Sequence, residues 1–77
     1  MAEVDRIRWR CRRGLLELDL VLARFLERTY AHLTPAERDV FKGLLEHSDN
    51  ELWDLVSGRS DPPPGPEAHL VGLLRDA

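Results

Sequence analysis

The sequence predicts an all-α protein, a compact five-helix bundle, on three observations. Apolar residues recur at helical spacing almost throughout. No stretch shows the β-branched alternation of a strand, since Val, Ile and Thr occur singly. Three helix starts and two glycine stops can be read directly. At 77 residues the chain is one domain. A core of this size rarely supplies more than about 3–5 kcal/mol, so dense leucine packing is expected rather than a sandwich.

The first helix is expected from about Val4 to Arg13, with Val4, Ile7 and Cys11 on its buried stripe and Gly14 ending it in the left-handed conformation. The second, about Leu15 to Ala31, turns Leu18, Leu22, Phe25 and Leu26 inward, widened by Leu15, Val21 and Tyr30. Thr34-Pro35-Ala36-Glu37 is a capping box with proline at the first helical position, which starts a third helix running to about His47. Val40, Phe41, Leu44 and Leu45 form its inner face. Ser48 and Glu51 repeat the capping logic for a short fourth helix carrying Leu52, Trp53, Leu55 and Val56, closed by Gly58. Asp61-Pro62-Pro63-Pro64-Gly65 cannot be helical and forms a stiff linker, after which Pro66 to about Arg75 packs back on the bundle.

Composition narrows function. The hydrophobic fraction of 43% beside 32% charged residues argues against disorder and against a membrane span. The N-terminus lacks the apolar run of a secretory signal, and Glu3 and Asp5 argue against a presequence, so a cytoplasmic protein without a membrane role is expected. A single cysteine, Cys11, excludes an intramolecular disulfide, and its place on the buried stripe makes it a core residue. His32, His47 and His69 have no partner at metal-ligand spacing, so no metal is expected. Glu46, Asp49, Glu51 and Asp54 cluster at the third-to-fourth junction, where carboxylates ordinarily cap helices.

The net charge of −3 conceals a dipole. Five arginines less two acids give +3 over residues 1–13, and six basic less twelve acidic residues give −6 over residues 14–77. On a helical wheel Trp9 falls among Arg6, Arg10 and Arg13, opposite Ile7. A large aromatic among arginines is a candidate interface anchor, set against a plainer reading in which Trp9 packs on the fifth helix or stacks with Arg13 or Arg6 as a cation–π pair. Macrodipole stabilisation accounts for the charge signs, arginines near the C-terminus of the first helix and Glu17 with Asp19 in the first turns of the second. It does not account for five arginines and no lysine, a choice suited to planar recognition of carboxylate or phosphate. Arg13 and Glu17 flank Gly14, so a cation and an anion stand on either side of a backbone corner that a second protein can approach closely.

The run Arg6-Ile7-x-Trp9-x-Cys11-Arg12-Arg13-Gly14-x-x-Glu17-Leu18-Asp19 resembles the succinate dehydrogenase FAD assembly factor family, the small flavinylation factors of bacteria and mitochondria. Leu44-Leu45-Glu46 and Asp49-x-Glu51-Leu52-Trp53 resemble it too, so the likeness extends to about Gly58, with a looser match beyond. The resemblance implies a compact five-helix monomer that is not an enzyme and holds no cofactor tightly. It implies binding to the flavoprotein subunit of succinate dehydrogenase or fumarate reductase, and promotion of covalent FAD attachment to a histidine of that subunit. By the same resemblance Arg13, Gly14 and Glu17 are partner-binding, joined by Arg6, Trp9 and Asp19.

The residues agree with a helper rather than a flavin transferase: there is no Gly-rich phosphate loop, no nucleophile paired with a base, and no core large enough to enclose FAD. Two rivals stand beside this. An antitoxin-like or cytoskeletal interaction module would present the same kind of corner. Nucleic-acid binding by the arginine face is opposed by the −6 of the remaining chain, and no nucleic-acid partner is expected.

Overall fold

Five α-helices and one 3-10 turn make up residues 3–77, the part described by this computed structural model, with side chains from Asp5 onward. Val4, expected on the buried stripe, lies outside the described side chains. The helices are α1 (Glu3–Arg10), α2 (Leu16–Arg28), α3 (Pro35–Leu44), α4 (Asp49–Ser57) and α5 (Pro66–Arg75), with the 3-10 turn at Tyr30–His32. No strand occurs among the described residues.

The inward faces are those the spacing predicts. Leu18, Leu22 and Phe25 of α2, Phe41 and Leu44 of α3, Leu52 of α4 and Leu70 of α5 are wholly buried. Phe25 and Phe41 meet with ring centroids 4.9 Å apart, and Tyr30 closes on Phe41 at 5.7 Å. The last helix lies against α2, α3 and α4, where it buries Leu70, Val71 and Leu74. Burying each such side chain contributes about 1.5–3 kcal/mol, which makes this cluster the main source of stability.

Both capping boxes form. Thr34 Oγ1 accepts from the Glu37 N–H at 3.1 Å while Glu37 Oε1 accepts from the Thr34 N–H at 2.8 Å. Ser48 and Glu51 make the same reciprocal pair at 3.2 Å each way. Gly58 ends α4 with φ of 88°, a left-handed residue as expected.

Three boundaries differ from the sequence expectation. The second helix stops at Arg28 and finishes as the 3-10 turn, which swings Tyr30 into the core. The third stops at Leu44, so 45–47 form a turn whose carbonyls are left for other donors. The first stops at Arg10, after which Cys11 and Arg12 bond back to the last turn while Arg13 and Gly14 leave the helix axis. Gly14 is left-handed at φ 89°, but it serves the turn into α2 rather than the end of α1.

Candidate functional site

The corner at Gly14 is built by side chains that reach back to the backbone. Leu15 precedes α2 without a side-chain cap. Instead Asp19, one turn into α2, accepts the Arg13 N–H on Oδ1 at 2.9 Å and the Gly14 N–H on Oδ2 at 3.2 Å. Both carboxylate oxygens of Asp19 are thereby engaged within the chain. A Cβ built on Gly14 would meet nothing within 4 Å, so glycine is required here by its positive φ and not by internal crowding.

Arg13 turns inward. Its Nε donates to Asp49 Oδ1 at 2.6 Å, one terminal nitrogen donates to the Leu45 carbonyl at 2.8 Å, and the other donates to the His47 carbonyl. Its side chain is only 13% exposed. The cation that the sequence placed at the surface of the corner is therefore engaged with the α3–α4 turn. The helical wheel misplaced Arg13 because the residue lies beyond the end of α1, where the 100° step no longer applies. One turn earlier, Arg10 bonds the Lys42 carbonyl at 3.3 Å and Glu46 at 3.0 Å, a second tie to the same region.

Trp9 stays outside, 67% exposed, with the Arg12 guanidinium 5.7 Å from its ring centre. The cation–π partner is thus Arg12, not Arg13 or Arg6. Glu17 is exposed on the first turn of α2 and has no hydrogen-bond or ion-pair partner among the described residues.

Two grooves meet at this corner and a third lies along α1. One of about 410 Å³ is lined by Gly14, Leu15, Leu16, Glu17 and Trp53. A second, of about 490 Å³, lies between α1 and α2 and reaches Gly14 and Asp19 at one end. The third, of about 260 Å³, holds Trp9 with Asp5, Arg8 and Arg12. Arg8 and Arg12 are common to the last two, and Gly14 to the first two. Arg6 is exposed and lines none of the three. Most notably, the large exposed hydrophobics among the described residues are Trp9, Leu16 at 72% and Leu20 at 49%, and each lines one of these grooves.

Sequence reasoning missed Leu16, Leu20, Arg8, Arg12 and Trp53 as groove residues and Asp49 as the partner of Arg13. The two leucines were legible. They stand four residues apart, off the stripe defined by Leu18, Leu22 and Phe25, and so form an apolar pair on the outer face of α2. Asp49 was not legible as a partner, because 36 residues separate it from Arg13.

Cys11 is buried, and burial pushes its thiol up to about 11, against the opposing pull of Arg13 and Arg10. A neutral thiol packed in the core matches the sequence reading. Among the described residues no group of three or more His, Cys, Asp and Glu side chains is placed to hold a metal ion. Among the described residues no helix is long and apolar enough to cross a membrane.

Fold and site together define a small helical protein whose distinctive chemistry lies on an exposed corner, basic and aromatic, over a core filled by its own side chains. Residues 5–77 match the family described as the flavinator of succinate dehydrogenase, and the chain belongs to that family. The match runs through the proline linker and α5, further than the motif alone suggested. A Coxiella burnetii protein named FAD assembly factor SdhE is 46% identical over 57 residues, 74% of this chain and 70% of that protein. Its namesake in Aliivibrio fischeri is 46% identical over 61 residues, 77% and 71% of the two chains. The Methylococcus capsulatus protein of the same name is 37% identical over 75 residues, covering 97% of this chain and 90% of its own. No solved structure matches the chain.

Proposed function

We propose that this chain is a non-catalytic assembly factor that binds the flavoprotein subunit of succinate dehydrogenase and promotes covalent attachment of FAD to it, with the fumarate reductase subunit as a second client. Family membership supports the reaction, and the observation that carries the docking site is the set of exposed large hydrophobics in grooves with shared residues, Leu16 and Leu20 in the two that share Gly14 and Trp9 in the one that shares Arg8 and Arg12 with the groove of Leu20. Exposed apolar side chains grouped beside unpaired arginines suit a protein partner.

The role fits a selector of client conformation. Covalent flavin attachment depends on the alignment and electrostatics of groups in the client's own active site. A factor that binds the aligned conformation more tightly than the others raises the rate by its differential affinity. FAD stays with the client, since this chain supplies neither a phosphate loop nor room in its core.

Within the site the six residues divide the work. Trp9 and Glu17 meet the client directly, Gly14 lets its backbone come close, and Arg6 adds charge at the margin. Arg13 and Asp19 hold the corner in shape from inside. The test is co-expression with the flavoprotein subunit and in-gel fluorescence of covalent flavin. Gly14→Arg and Glu17→Ala should each lose most of the stimulated flavin, and wild-type levels in both would remove the corner as the site.

A further inference from the structure

The groove between α1 and α2 has a character distinct from the corner itself. Its floor is Cys11 and Leu26, both buried, its wall is Leu20 and Ala23, and Arg8 and Arg12 stand at its rim. At about 490 Å³ it falls in the range of clefts that take a few side chains. None of its rim cations is neutralised: Arg8 and Arg12 have no carboxylate bonded to them among the described residues, whereas Arg10, Arg13 and Arg75 each have one. Two acids lie nearby. Asp19 lines the groove with both oxygens taken by backbone N–H groups, and Asp5 lines the neighbouring Trp9 groove together with Arg8 and Arg12. Stacking on Trp9 also orders the Arg12 guanidinium at the rim.

We infer that this groove receives an acidic segment of the client flavoprotein subunit, with an apolar side chain inserted against Leu20, Ala23 and Leu26 and carboxylates on Arg8 and Arg12. The inference rests on the client assignment above and adds the chemistry of the segment recognised. Charge complementarity selects an acidic occupant: the rim is formed by Arg8 and Arg12, neither bonded to a carboxylate among the described residues. Guanidinium groups favour bidentate carboxylates, and the apolar floor gives the anchoring side chain its desolvated seat.

The experiment titrates purified succinate dehydrogenase flavoprotein subunit, not yet covalently flavinylated, with the wild-type chain and three variants at low and moderate salt. The variants are the double charge reversal Arg8→Glu with Arg12→Glu, Leu20→Gln, and the control Arg59→Glu, an exposed arginine beyond the far end of α4 from Asp49. The double reversal should weaken binding by about 100-fold and flatten its salt dependence, and Leu20→Gln by about tenfold. The control should stay within about twofold. All the altered side chains are exposed, and a thermal melt of each variant checks that it folds before binding is read. Groove variants that bind like wild type, while wild type binds and raises covalent flavin, overturn the groove and leave the client assignment standing. A wild-type chain that neither binds nor raises covalent flavin overturns the assignment, and the groove with it. Equal loss in the control overturns the groove in favour of nonspecific charge. A salt-dependent shift of a short DNA duplex by the wild type, abolished in the double reversal, overturns it in favour of nucleic acid.

Discussion

The α1–α2 corner and the α3–α5 half of the bundle are held by different forces. The latter begins two helices with reciprocal capping boxes and packs Phe41, Leu44, Leu52, Leu70 and Leu74 without a gap in the apolar contact. By contrast, α1 and the segment after it bury Ile7 and Cys11 among their described side chains and are otherwise fastened by arginines, Arg10 to Glu46 and Lys42, and Arg13 to Asp49, Leu45 and His47. Apolar burial is non-directional and fixes that a helix packs. Charge-assisted hydrogen bonds are directional and fix where the corner sits. Stability and site geometry therefore reside largely in separate sets of residues.

The difference is broken most severely from the core side. Phe41→Ala should cost about 3–5 kcal/mol, as much as a domain of this size has, and abolish the cooperative thermal transition seen by circular dichroism. Arg13→Ala leaves Asp49 and two turn carbonyls without their donor and should cost about 1–3 kcal/mol. The chain should still melt cooperatively, yet lose most client binding and covalent flavin. Asp49→Ala should reproduce that pattern, and full binding by both variants would show that the corner does not depend on its tie to the α3–α4 turn.

Two glycines sharpen the contrast with shifts of opposite sign. Gly14→Ala forces a side chain into φ 89° and should destabilise by about 1–2 kcal/mol. Gly72→Ala lies in the exposed interior of α5 with nothing within 4 Å of the added carbon, and should stabilise by about 0.5–1 kcal/mol while leaving client binding unchanged. Differential scanning calorimetry separates the two.

The smallest effects lie in the caps. Thr34→Ala and Ser48→Ala should each cost about 1 kcal/mol. Glu37 is held below the ordinary glutamate range chiefly by the Thr34 N–H, with His69 at 2.8 Å next, and Glu51 likewise by the Ser48 N–H. As pH falls the unfolded chain takes up these protons first. Their support is complete above the ordinary glutamate range and is lost as pH drops through the lower folded values. The melting temperature should therefore fall from about pH 5 downward, less steeply in Glu37→Gln with Glu51→Gln.

Much of this was legible in the chain. The starts of α3, α4 and α5, the left-handed Gly58, the inward faces and the buried Cys11 all follow from interactions within four residues. The exposure of Trp9 follows from its place on the helical wheel, and the family resemblance is carried by the motif at residues 6–19. The end of α1 was misjudged by three residues, because Arg12 and Arg13 fit a continuing helix by propensity while Asp19 and Asp49 offer Arg13 better partners outside it. That one error reversed the direction of Arg13.

The sequence by itself determined the helices, their apolar stripes and the polarised charge, since periodicity, capping and composition act locally. Only the tertiary structure decided which arginines are engaged and which remain available. Arg10 and Arg13 are claimed by carboxylates and carbonyls 32 to 36 residues away, while Arg8 and Arg12 are left at the rim of a groove. The choice depends on how the packed core brings the α3–α4 turn up to the first helix, and no spacing along the chain encodes that distance.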